Sequence, residues 1–437
     1  MLLCAILIVV IDWIVLRGRG FAPSGLTAGA GAAALAGVLS LRSRRWREFL
    51  ARPELCERFD FASVFVLFLA LYSVTRSTGP TPYNEHVRLA YALLHGHVWV
   101  DAPPWIESVA WHGRRYLVHP PLAAVVLMPL VALTGMATDQ VAVSVVIGAL
   151  DVALAWRLLG RFDLAASARL WLTLFFGVGT ILWYEATEGT SWTLPLVLSV
   201  APTLCALDEL FGEARPWLVG VMAGLAALAR YDLAAVWPVY ALALLNRGRR
   251  WRELGWMLPG LGFAAVAYAA YSEARFGTAL DPGIWLWYQA DSFGRRSHPG
   301  LPSPFALHNL PSNLYTLLFM SPAFDGVFPY IHPRGTGQAL ILTSPAFLLA
   351  LRPALSRPMT LLMWLAAALS MGGVLLYYAN GFQQFGTRFY VQAFPFLLVL
   401  MALGNRRRAD QLTRLLIAAS MVLVAYGVWH IRLFGFA

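Results

Sequence analysis

The stretch "PTPYNEHVRLAYALLHGH", residues 80–97, places Glu85, His86, Arg88, His95 and His97 directly after the apolar run "FASVFVLFLALYSV". A carboxylate at the edge of a membrane span can serve as a general base toward a hydroxyl held within hydrogen-bond reach. It can equally complement the positive end of a helix and pair with Arg88, three residues on. Val87, Ala90, Tyr91 and Leu94 follow i, i+3, i+4, i+7 spacing, which is the pattern of a helix lying on a membrane surface. Thr81-Pro82 or Asn84 can start that helix, with Glu85 in its first turn.

Other residue groups have a chemical and a plain reading side by side. Glu185 and Glu188 in "WYEATEGTSW" stand one turn apart where an apolar run ends, as acids at a hydrated helix end do. Arg388 opens "RFYVQAFPF" and reads as an anchor snorkelling to the interface. Arg230 in "ALARYD" has Asp232 as a ready partner, and His119 before Pro120-Pro121 reads as a structural interfacial histidine. His95, His97 and Asp101 alternate as metal ligands on an extended segment can. Nothing completes their ligand set, so no metal site is assigned. Asp12 and Asp151 fall inside apolar runs, where an acid is a functional candidate by default. No P-loop, GxGxxG, HExxH or GxSxG is present, which leaves soluble nucleotide and hydrolase chemistry without support.

The elements that must position these groups are membrane helices. Of 437 residues 59% are hydrophobic and 13% charged, and the mean hydropathy is +0.62. A soluble domain carries about twice that share of charge. The net charge is +10, yet all 33 basic residues are arginine and most sit in short links between apolar runs. That distribution sets membrane orientation and argues against a nucleic-acid partner. Cys4, Cys56 and Cys205 are too widely spaced for a disulfide framework, and the N-terminus reads as a retained helix, not a cleaved signal.

The expected fold is an all-α polytopic membrane protein with about 13 transmembrane helices. The spans are expected at 2–16, 21–41, 60–76, 139–157, 169–184, 192–210, 217–230, 233–246, 254–272, 339–352, 359–378, 388–404 and 415–432. "RSRRWRE", "NRGRRWRE" and "NRRRADQLTR" anchor the cytoplasmic side. Either "HPPLAAVVLMPLVALTG" crosses the membrane, or it lies in the outer leaflet and 217–246 forms a pair of short spans hinged at Arg230–Asp232. The second arrangement is preferred, because it returns Arg157, Arg161 and Arg169 to the cytoplasm and keeps Arg230 out of mid-bilayer. The chain then divides into two extra N-terminal helices with a basic link (1–59), a core (60–272) holding a first outer loop (77–138), a long second outer loop (273–338) and C-terminal helices (339–437). Eight of the nine histidines fall in the two outer loops, which are longer than structureless connections usually run.

Several motifs, in order, resemble the GT-C superfamily of membrane glycosyltransferases, which includes protein O-mannosyltransferases and aminoarabinose transferases. They are Glu85, "LAYALLHGH", "HGRRYLVHPPLAAVVLMP", "YSEARFGTALDPG" and "FGTRFYVQAFPFLLVLMALG", spread over residues 60–404. The resemblance implies membrane-parallel helices in the first outer loop and sugar transfer from a polyprenyl-phosphate-linked donor, with inversion, on the outer face of a bacterial inner membrane. It implies Glu85 as catalytic base, where the family more often has aspartate, and Glu185 or Glu188 as a second acid holding substrate or a divalent ion. It implies phosphate contacts for Arg388, with Arg230 and His119 as further candidates, His119 standing where some relatives carry lysine. A divalent cation is compatible with this reading and not required by it. The partners implied are the lipid-linked donor, membrane lipid and an acceptor glycan, lipid or protein.

Two rivals come from other classes. A transporter or lipid flippase would use Asp12, Asp151 and the Arg-Tyr-Asp hinge as a path, although no inverted repeat is visible. A GT-C-like scaffold without activity would bind partners and turn over no lipid.

Overall fold

The computed structural model describes residues 60–77, 79–101, 103, 106–290, 303–405 and 409–436. The expected spans 2–16 and 21–41, Asp12 and the link "RSRRWRE" lie outside the described residues. The described chain is mostly helical, with two short β-hairpins. Among the described residues five helices are long and apolar enough to cross a membrane, six if one bent pair counts as a single span.

Helix α1 (Phe61–Thr75) is capped by Asp60, whose carboxylate accepts from Ser63 N at 2.8 Å. The segment expected as the first outer loop follows: α2 (Glu85–Leu94), a hairpin of β1 (Ser108–Trp111) and β2 (Arg114–Leu117), then α3 (Leu122–Thr134). The hairpin was not expected. His112 and Gly113 form its two-residue turn with φ of 48° and 75°, and these left-handed values match the twist of paired strands. At 13 residues α3 is about 20 Å long, short of the roughly 30 Å hydrocarbon thickness.

The apolar face expected for α2 is only half right. Val87 and Ala90 are buried, whereas Tyr91 and Leu94 are each about two-fifths exposed. Leu89 and Ala92 replace them in the protein interior, because α2 packs into protein on one side instead of floating on lipid alone.

Helices α4 (Gln140–Leu159) and α7 (Leu194–Phe211) form the enclosed centre of the bundle. Around them stand α1, α5 (Ala166–Val178) and α6 (Leu182–Glu188). Helices α5 and α6 are the bent pair, meeting at 46° across Gly179–Ile181, where one straight span over 169–184 was expected. Helices α8 (Pro216–Ala229) and α9 (Trp237–Asn246) are joined at Arg230 by the 3₁₀ turn Tyr231–Val236. The chain doubles back there: Trp237 Nε1 donates to Ala223 O at 3.2 Å and Arg249 Nε to Ala214 O at 2.8 Å.

Helix α10 (Leu258–Phe276) packs on α8 through glycines. A Cβ on Gly224 would stand 2.6 Å from Gly260 O, and one on Gly220 would stand 2.5 Å from Met257 O. Small residues at this spacing let two backbones approach where apolar burial gives no drive for association. After α11 (Gly283–Ala290), α12 (Leu310–Leu318) and the β3–β4 hairpin (Ala323–Phe324 with Ile331–His332) come α13 (Pro358–Leu376), α14 (Phe394–Gly404) and α15 (Gln411–Phe434). The expected span 339–352 is instead one turn of helix (Leu340–Thr343) and a 3₁₀ stretch (Pro345–Leu351), broken at Ser344-Pro345.

Arginine–acid ion pairs mark both ends of the bundle. At one end Arg157 and Arg161 bind Asp208 (2.9 and 2.7 Å), and Arg215 binds Glu209 (2.7 Å). Arg352 binds Asp410 (3.2 Å) at the far end of α14. The start of α4, where Asp139 pairs with Arg76 at 2.8 Å, belongs to the other end, together with Glu85 and Arg388.

Candidate functional site

The segment expected as the first outer loop, and Gln140 at the start of α4, are tied to the segment after α6 by hydrogen bonds. Ser191 N donates to Tyr83 O (3.2 Å), and Gln140 Nε2 donates to Gly189 O (2.8 Å). Ser191 is the hub. Its hydroxyl accepts from Glu85 N at 2.9 Å and donates to Glu85 Oε2 in a short contact, and its carbonyl bonds His86 Nε2 at 3.0 Å. Glu85 is 0% exposed, and its second oxygen, Oε1, has no hydrogen-bond partner among the described residues. Burial raises the Glu85 carboxyl above its ordinary 4.5, against a downward pull from the Ser191 hydroxyl. A raised carboxyl is a stronger base once ionised.

Glu85 stands in the first turn of α2 as expected, but the expected pairing with Arg88 is not made. Arg88 makes no ion pair with it and turns away, its Nε to Asn84 Oδ1 and its Nη1 to Asp101 O, both at 2.9 Å. Glu85 faces inward because its neighbours in the turn, His86 and Val87, are buried as well.

His86 and His119 face each other with ring centroids 5.2 Å apart. Burial holds His86 down at about 4, and holds His119 well below 6.5, so both are neutral imidazoles at pH 7. After burial, the causes acting on His119 are His86, Arg230, Arg388 and Arg275, which places this histidine amid three guanidinium groups. His119 Nε2 lies 3.6 Å from Glu107 Oε2. The His119 side chain is 14% exposed.

Arg388 and Arg230 flank one ring: their guanidinium carbons lie 5.2 and 5.8 Å from the centroid of Phe389. Their chemistry differs. Arg230 closes a triangle, donating to Asp232 Oδ2 (3.1 Å) and Gln392 Oε1 (3.3 Å), while Gln392 Nε2 donates to Asp232 Oδ2 (2.6 Å). Its charge is answered. Arg388 is 7% exposed, donates from Nη1 to Phe382 O (2.9 Å) and leaves Nε without a partner. Among the described residues no carboxylate comes within ion-pair distance of it, although Glu185 and Glu107 lie within electrostatic reach. A buried guanidinium in that position is stabilised by any anion that reaches it. Its guanidinium carbon is 5.6 Å from the ring of Trp192, which packs at 4.6 Å on Tyr83. Ser191-Trp192 thus links Glu85 on one side to Arg388 on the other.

The paired acids of α6 separate in role. Glu185 is 0% exposed with both carboxylate oxygens unpartnered, so it is not at a hydrated helix end. Glu188 is bound by Arg432 in a short contact, accepts from Ser77 Oγ at 3.2 Å, and lines a cavity of about 220 Å³ with Tyr184, Trp192 and Phe436. Glu85 and Arg388 do not line that cavity. Among the described residues no three of His, Cys, Asp and Glu could hold a metal ion. His95 stacks on Tyr91 and His97 on Trp99, and each bonds a carbonyl by Nδ1 (2.8 and 2.9 Å), so these two do not converge with Asp101.

Sequence reasoning overlooked Ser191, Trp192, Glu107, Arg275 and Arg432. Only the small polar run "EGTSW" after α6 hinted at the first two. Arg275 donates from Nη1 to Leu117 O at 2.7 Å and pairs with Asp281, holding the strand that leads to His119. Asp151, in α4, is fully buried with both oxygens unpartnered and stands apart from this cluster.

Comparison with protein-family models, with curated proteins and with solved structures finds no match for this chain.

Proposed function

We propose that the chain is a GT-C-type glycosyltransferase of about 13 spans. In this reading it moves a sugar from a polyprenyl-phosphate donor to an acceptor hydroxyl at the outer face of a bacterial inner membrane. The observation that carries the proposal is the pairing of two buried, incompletely satisfied groups, Glu85 and Arg388, across Ser191-Trp192. One is a carboxylate with a free oxygen, the other a guanidinium lacking an anion. They suit the two ends of one displacement. Glu85 Oε1 takes the proton of the acceptor hydroxyl, whose oxygen forms the new bond to the anomeric carbon from the face opposite the phosphate. The anomeric carbon–oxygen bond breaks, its electron pair stays on the phosphate oxygen, and Arg388 binds that phosphate. His119 and Arg230 stand beside it.

The outward orientation rests on the positive-inside rule: the ion-paired arginine end holding "NRGRRWRE" lies opposite the Glu85–Arg388 end. The resemblance of residues 60–404 supports the class of reaction. The test is turnover of radiolabelled polyprenyl-phosphate hexoses and pentoses by membranes containing the protein, compared with Glu85→Gln. Loss of turnover in a normally inserted variant is expected. Wild-type turnover in Glu85→Gln removes Glu85 from the mechanism, and no turnover of any donor removes the transferase reading.

Transport draws support from a different observation, the unpartnered Asp151 inside α4. Counterflow of labelled lipid in proteoliposomes that is lost in Asp151→Asn and kept in Glu85→Gln would favour it.

A further inference from the structure

The outer side of the first loop carries a cleft of about 570 Å³, lined by Arg88, Trp99, Val100, Asp101, Arg114 and Arg115 among others. That volume lies in the range of roughly 300–1,000 Å³ usual for small-molecule sites. Its walls are fixed by backbone. Val100 N donates to Arg115 O at 2.9 Å, and the hairpin register sets Arg114 opposite Trp111 and Arg115 opposite Ala110.

The arginines are positioned without being neutralised. Arg114 lies flat on Trp99, its guanidinium carbon 3.7 Å from the ring centroid. His97 stacks on the same indole with centroids 4.3 Å apart and planes at 18°. This stack orients the Arg114 guanidinium plane and leaves its N–H edge without a hydrogen bond among the described residues. Arg115 is held by Ser108, with Nε at 2.9 Å from Oγ, and Arg88 by Asn84 and the Asp101 carbonyl. These bonds leave Nη1 of Arg115 and Nη2 of Arg88 available. None of the three pairs with a carboxylate among the described residues. The Asp101 side chain is exposed at the rim and too far from each for an ion pair. Three like charges around one cleft repel unless an anion joins them.

We propose that this cleft binds a phosphate group carried on a polar molecule, either a lipid headgroup or a soluble phosphorylated sugar. Planar guanidinium edges converging on one space match two or three phosphate oxygens, which a carboxylate cannot fill as well. Glu85 does not line the cleft, and the proposal does not depend on the transferase reading.

The test uses the full chain in phosphatidylcholine nanodiscs. One arm titrates glucose 6-phosphate, with glucose as the uncharged control, following tryptophan fluorescence and heat. The other replaces part of the phosphatidylcholine by phosphatidic acid and measures the lipid retained on the protein. Saturable binding in the first arm identifies a soluble phosphorylated ligand, and retention in the second alone identifies a headgroup. In the arm that binds, Arg114→Gln is expected to weaken binding about tenfold or more. Asp101→Asn should tighten it, a gain that misfolding cannot produce. The proposal is overturned if neither probe binds, if glucose binds as well as its phosphate, or if Arg114→Gln and Arg88→Gln/Arg115→Gln both bind as wild type does.

Discussion

Replacing Ser191 by alanine tests the core of the site without presuming any substrate. The hydroxyl is the donor to Glu85 Oε2 and the acceptor for Glu85 N at 2.9 Å, in a place fully closed to solvent. A hydrogen bond to a charged group contributes about 1.5–3 kcal/mol, and about 1.4 kcal/mol corresponds to one pKa unit. Its loss should therefore raise the Glu85 carboxyl further, beyond the increase that burial already imposes. The sign for stability follows. A carboxyl raised in the fold contributes stability below the unfolded value near 4.5, and this is lost as pH rises through the folded value. The stability deficit of Ser191→Ala should thus grow as pH increases above 4.5. The assay is infrared difference spectroscopy on ¹³C-glutamate protein, with Glu85→Gln identifying the band, beside thermal unfolding across pH. If the Glu85 band titrates like an exposed carboxyl in wild type, or does not move in Ser191→Ala, the argument that burial and Ser191 together set this group is refuted.

Further outcomes follow from other parts of the structure. His86 titrates at about 4 in the fold against 6.5 unfolded, so it withdraws stability as pH falls through that window. His86→Gln should flatten the pH dependence of the melting temperature between those two values. Arg432→Gln leaves the Glu188 carboxylate without its cation and should destabilise by roughly 1–3 kcal/mol, with Glu188→Gln restoring part of the loss in a double-mutant cycle. Gly224→Val pushes a side chain into the Gly260 carbonyl at the α8–α10 contact and should cost about 1–3 kcal/mol in unfolding, while Gly262→Ala, which meets nothing, should not. If Arg388 binds the departing phosphate, Arg388→Gln should lower turnover of a polyprenyl-phosphate sugar about 100-fold while Arg230, already paired with Asp232, matters less when changed to glutamine.

The apolar runs by themselves determined that the chain is a helical membrane protein and where most helices lie. The expectations at 139–157, 192–210, 359–378 and 415–432 stand within a few residues of α4, α7, α13 and α15, because about 20 apolar residues in a row have one stable conformation in a bilayer. Composition also located the arginine-anchored end, a matter of charge and not of packing. Which acids are buried was decided only by tertiary structure. In the sequence Glu85 beside Arg88 looks like a solvated first turn, and Glu185 like a helix end. Their burial comes from Ser191, more than a hundred positions away from Glu85, and from a bend at Gly179–Ile181 that no run of apolar residues announces. The same holds for Arg388 and Arg230, which share Phe389, and for Glu188 and Arg432, which meet from opposite parts of the chain. Hydropathy sums over neighbours along the chain, whereas the ionisation of a side chain depends on its neighbours in space.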